Sequence, residues 1–134
     1  MNVLASGDLL SDLKDELTSR AKDHYSALDS LSYLLLRYDL ADVIDLLESL
    51  LYHSREHGGV HLALMNPHMH DPKTVQTIVH IVDGALEFIA EEKSQEIERS
   101  LQVRKMKRAA HKVGILPFSL TDRGVRFETT KRVA

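Results

Sequence analysis

The 134 residues carry 17 Lys and Arg against 20 Asp and Glu, a formal net charge of −3, with 43% apolar and 28% charged residues. That balance suits one folded domain and excludes disordered, collagen-like and disulfide-scaffold classes. It also gives the whole chain no electrostatic reason to bind nucleic acid or anionic lipid, so neither is expected as a partner. No cysteine is present, which removes disulfides, thiolate metal sites and cysteine nucleophiles. No apolar run approaches the roughly 18 residues of a membrane span, and Met1-Asn2-Val3 lacks a basic signal start, so a cytoplasmic location is expected by default.

In chain order, Leu9, Leu10, Leu13, Leu17 and Ala21 recur at helical spacing, with Asp12, Lys14, Asp15 and Glu16 opposite. This predicts a first helix from Asp8 to Ala21, capped by Ser6 or Asp8. The segment His24 to Asp29 reads as a short buried strand ending at an acid, and it is also compatible with helix. A second helix is the clearest element: Leu40, Val43, Ile44, Leu47, Leu50 and Leu51 form one apolar stripe, and Gly58-Gly59 ends it. Val60 to Met65 then reads as a buried parallel strand stopped by Asn66-Pro67.

Asp71-Pro72 opens a third helix, with Val75, Ile78, Val79 and Val82 on one face and Asp83-Gly84 closing it. Ala85 to Ile89 is extended. Beyond Glu92 the pattern becomes strands around Ile97 to Met106, Ile115 to Leu120 and Val125 to Phe127, with turns at Gly114 and Asp122-Arg123-Gly124. The order predicts an α/β fold, parallel strands with helices, extended by C-terminal antiparallel strands. No linker divides residues 1–134, so a single domain is expected.

Four pieces resemble the second half of a RecA-like core in the KaiC-like family. Tyr25-Ser-Ala-Leu-Asp29-Ser30-Leu31-Ser32 is similar to the Walker B strand followed by Asp-Ser-Leu. Leu46 to Met65 resembles the next helix and strand, and Val82-Asp-Gly-Ala-Leu-Glu-Phe88 the segment after them. Leu101-Gln-Val-Arg-Lys105-Met-Lys107-Arg108-Ala-Ala-His111, with Pro117-Phe-Ser-Leu-Thr121-Asp-Arg-Gly124-Val125, is similar to the family's ending. Together they cover roughly residues 8 to 128 in family order; each alone is weak.

The resemblance implies a partial RecA-like fold in which Asp29 and Ser30 stand at the Walker B position, where the acid would hold the water shell of Mg²⁺. It also implies that Lys105, Lys107 and His111 occupy positions from which a subunit reaches its neighbour's nucleotide, stabilising charge on the transferred phosphoryl group. Lysine at 107 stands where the family has arginine, and lacks the bidentate fork. The alternative for this basic run, Arg99 to Lys112, is a solvated edge strand whose charge blocks aggregation.

A phosphate cradle needs Gly-x-x-x-x-Gly-Lys-Ser/Thr, and the glycines at 7, 58, 59, 84, 114 and 124 form no such pattern. The chain alone is therefore expected to hold no cofactor, with ATP and Mg²⁺ bound only alongside a P-loop-bearing partner. Three functions follow: a non-catalytic regulatory or assembly partner of a complete KaiC-like ATPase, or a self-associating module; a fragment of a split ATPase; or a metal- or ligand-binding module. The last rests on eight histidines, of which His53 and His57 are four apart on a helix and His68 and His70 flank a strand end. That strand-end stretch could equally line the top of the sheet. Hydrolase chemistry is not supported, since Gly-x-Ser-x-Gly is absent. The edge of the Asp29 strand, unpaired without further strands, predicts dimerisation or higher assembly there or through the face of the first helix.

Overall fold

A computed structural model describes residues 8–19, 22–110 and 114–128. The chain divides into two compact units, Met1–Val82 and Asp83–Ala134. The first holds α1 (Leu9–Thr18), β1 (Tyr25–Leu28), α2 (Leu31–Arg37), α3 (Leu40–His57), β2 (Val60–Ala63) and α4 (Pro72–Ile81), with a 3-10 turn at Pro67–Met69.

Asp8 caps α1, its carboxylate accepting from the Leu10 N–H; Ser6, the other predicted cap, lies outside the described residues. Asp71 caps α4 by accepting from Thr74 N–H, and Pro72 occupies the first turn, where its missing N–H costs nothing. The Thr74 hydrogen bonds hold the Asp71 carboxyl below its ordinary range. Helix α3 stops at Gly58, whose φ of 78° with ψ −171° is a positive-φ conformation that glycine adopts and residues with a Cβ avoid.

Helix α2 is not anticipated by the sequence reading, which passes from the Asp29 strand directly to α3. Its signal is present: Leu31, Leu34, Leu35 and Tyr38 keep helical spacing, and all four join the core or pack against it. Ser30 is its N-cap, accepting from Tyr33 N–H. The core consists of Leu31 and Leu34 from α2, Val43, Leu46, Leu47 and Leu50 from α3, and Ile78 from α4. Leu46, absent from the predicted stripe, is among its most buried members at 1% exposure.

Strands β1 and β2 pair in parallel, Tyr25 opposite Val60 through Leu28 opposite Ala63. Expected to be buried, they are covered on one face only. Tyr25 is 71% exposed and Leu62 60%, because alternate side chains point away from the face that carries Ser26, Leu28 and His61.

The second unit is a four-stranded antiparallel sheet in the order β3 (Gly84–Lys93), β4 (Glu96–Met106), β5 (Ile115–Thr121) and β6 (Gly124–Phe127). The extended segment predicted at 85–89 is thus the first half of a longer strand. It joins β4 through a tight turn in which Ser94 has φ 58°. The turn predicted at Asp122 and Arg123 closes β5 onto β6, with Thr121 opposite Gly124. The basic run is an edge strand only in part: β4 lies inside the sheet, but its pairing with β5 covers Arg99 to Gln102, so Lys105 and Met106 pair with β3 alone.

Candidate functional site

The ends of β1 and β2 are tied together by the backbone. Leu64 N–H donates to the Leu28 carbonyl at 3.0 Å, and Leu31 N–H donates to the Leu64 carbonyl at 2.7 Å. This places Asp29 and Ser30 at the strand end, with the Asp29 residue exposed. Their peptide bond is cis. Ser32, buried at 3% exposure, then fastens the loop after β2. Its Oγ accepts from Asn66 N–H at 2.9 Å and lies 2.9 Å from His70 Nε2. The Asn66 side chain in turn accepts from His68 N–H.

Asp29, Ser30, Ser32, Asn66 and His70 therefore form one polar rim at the carboxyl ends of the parallel strands, the usual ligand side of such sheets. His70, a metal candidate by sequence, spends Nε2 on Ser32, and His68 is exposed. Among the described residues, no three His, Asp or Glu side chains are grouped to hold a metal ion.

The opposite end of the same strands carries a histidine cluster. His53, 3% exposed toward the C-terminal end of α3, presents Nδ1 3.3 Å from His61 Nε2, while His61 Nδ1 is 2.6 Å from Ser26 Oγ. The rings of His24 and His57 stand 5.9 Å from His61 and 4.9 Å from His53, centroid to centroid. Burial, then the charges of His53 and His24, push the His61 pKa below its ordinary value. The sequence showed His53 and His57 as a helical pair; that His24 and His61 join them follows from the β1–β2 register, which periodicity alone does not fix.

Of the basic candidates, Lys107 lies 3.7 Å from Asp83 and its N–H donates to the Asp83 carbonyl. Lys105 stands opposite Ala85; burial and then Lys107 lower its pKa. Arg104 is ion-paired to Glu87. His111 lies outside the described residues. Lys105 and Lys107 belong to the second unit and the Asp29 rim to the first.

A profile of the family described as "ATPase: KaiC" matches residues 5–132. The chain belongs to the KaiC ATPase family. Among solved structures it is similar to a KaiC-like protein of the hyperthermophilic archaeon Pyrococcus horikoshii, with a TM-score of 0.66 and 18% identity over 95% of this chain. It is also similar to an uncharacterized protein of the same organism, crystallised in complex with an unknown peptide, with a TM-score of 0.65 and 14% identity over 96% of this chain. The KaiC-family chain described here spans 58% and 57% of those two chains. No curated protein matches it. The mixed fold of parallel and antiparallel sheets agrees with the likeness to the KaiC-like protein.

The family implies ATP and Mg²⁺, and the residues fit them only in part. A carboxylate at a strand end suits the water shell of Mg²⁺. A triphosphate needs converging backbone amides and a lysine, and no such glycine-lined segment occurs in these 134 residues. Among the described residues, no helix is long and apolar enough to cross a membrane.

Proposed function

We propose that this KaiC-family chain is a non-catalytic assembly or regulatory partner of a complete ATPase and does not hydrolyse ATP by itself. The observation that carries the reading is the apolar face of β1–β2, left open beside the Asp29–Ser30 strand end: Tyr25, Val60 and Leu62 are 71%, 48% and 60% exposed. A face of that kind is a place for another polypeptide to cover. The missing phosphate cradle explains why a partner is needed for any nucleotide chemistry.

A second reading, a piece of a split ATPase whose P-loop resides on another polypeptide, is favoured by the chain spanning 58% of its structural neighbour. It keeps Asp29 as a working Mg²⁺ group and Lys105 and Lys107 as contacts to a neighbour's phosphates.

Calorimetry on the isolated chain with ATP, with and without Mg²⁺, is expected to give no micromolar binding. Mixing with a P-loop-bearing KaiC-like ATPase is expected to give a complex with altered ATP turnover. Asp29→Ala separates the two readings, because turnover in the complex survives it for a regulatory partner and is lost for a split enzyme. Micromolar ATP affinity of the chain alone, or neither binding nor a rate change on mixing, rejects both.

A further inference from the structure

The antiparallel sheet of the second unit has two unlike faces, and strand alternation assigns each side chain to one of them. One face is charged: Glu87 pairs with Arg104, and Lys93 with Glu98 at 2.6 Å. On the other face a ridge of rings crosses the strands. Phe88 of β3 meets Phe118 of β5 edge-on at 5.9 Å between centroids, and Phe118 meets Phe127 of β6 at 5.8 Å. The register places Leu86, Leu116, Leu120 and Val125 on the same side.

These side chains remain open to solvent: Leu86 51%, Phe88 63%, Leu116 44%, Leu120 59%, Val125 54% and Phe127 42%. Taking each as about half of a side-chain surface of roughly 200 Å², the six expose about 600 Å², the upper end of what a monomer shows in one patch. That is most of the roughly 800 Å² each partner gives to a standard stable interface.

We infer that this face is a homodimer interface, in which the antiparallel sheets of two copies pack face to face across a twofold axis. Three features select a second copy as the occupant. The patch area is close to what each half of a stable dimer needs. Among the described strand residues the register puts two charged side chains on this side, Glu92 and Arg99, of opposite sign, so these bring no excess of like charge to a copy apposed to itself. An apolar face extending over all four strands matches a second sheet of its own dimensions, the packing of β-sandwiches, with the phenyl ridge supplying the interdigitating side chains. This interface lies wholly in the second unit and is independent of the partner proposed for β1–β2.

Sedimentation equilibrium of the full chain is expected to show a monomer–dimer equilibrium within about 1–200 µM. Leu120→Glu and Phe88→Glu should each raise the dimer dissociation constant at least tenfold, with far-ultraviolet circular dichroism unchanged. Ser119→Glu, on the charged face, and Leu62→Glu, in β2, should leave it unaltered. Because the chain has no cysteine, Val125→Cys and Arg126→Cys give a second readout: a short bis-maleimide is expected to link copies through position 125 and not through 126. If Phe88→Glu disturbs the fold through its contact with Phe118, Leu120→Glu and the cysteine pair still decide. A monomer throughout the range, a dimer that survives Leu120→Glu, or one abolished by Leu62→Glu overturns the inference.

Discussion

Replacing Leu46 by alanine tests whether the first unit is held by the small core described above. Leu46 is 1% exposed on α3, within a cluster of seven buried apolar residues drawn from α2, α3 and α4. Truncation removes its transfer free energy and leaves a cavity lined by side chains anchored on three helices, which cannot all collapse inward. Leu→Ala changes in such places cost about 2–5 kcal/mol, and full burial puts Leu46 near 3–4 kcal/mol on that scale. For a unit of this size, each kcal/mol moves the midpoint by about 4–8 °C, so a fall of roughly 15–25 °C is expected. The assay is thermal unfolding followed at 222 nm, where α1 to α4 dominate the signal, with Tyr52→Ala on the same helix as the control. Tyr52 is 67% exposed, and its removal should change stability by less than about 0.5 kcal/mol. A Leu46→Ala shift under about 5 °C, or one no larger than that of Tyr52→Ala, would refute the assignment of the core.

Gly59→Ala should also destabilise the first unit, by more than about 1 kcal/mol in urea titration. The glycine has φ 86°, and an added Cβ would lie 2.0 Å from the His24 carbonyl oxygen, which is already held by the Val60 N–H at 3.1 Å; a variant as stable as wild type would contradict this geometry. Stability should fall with acidification through the histidine cluster. The folded His61 pKa lies below its ordinary value of 6.5, so the unfolded chain binds more protons in that interval, and the stability present above pH 6.5 is lost as the pH drops below it. Urea midpoints between pH 8 and pH 5 measure the slope, and a His61→Asn variant that retains the full slope would remove the cluster as its cause.

The elements most legible in the sequence are those whose signals are local. The Asp71-Pro72 start of α4, the Gly58 stop of α3 and the Asp122-Arg123 turn each depend on residues within a few positions, and each stands where the sequence puts it. Helix α2 was hidden by the motif it overlaps: Asp29-Ser30-Leu31 reads as the tail of a strand, while Leu31 also opens an apolar helical stripe. Of the candidate rim, the strand-end position of Asp29 and Ser30 was legible and the part of Ser32 was not, because a serine inside an apolar run becomes informative only when Asn66 and His70 arrive from 34 and 38 residues away.

The same distinction separates the two halves of the functional argument. A phosphate cradle is a contiguous motif, so its absence from these 134 residues is read directly. An open face is not contiguous. Tyr25 and Leu62, or Phe88 and Phe127, look like core residues in sequence, and only strand pairing shows that each set shares a side that the described helices and strands leave uncovered. The apolar side chains exposed on both sheets are the observation on which both proposed interfaces rest, and each set would be covered only on association. Under those proposals, association would add burial that the described residues alone leave undone.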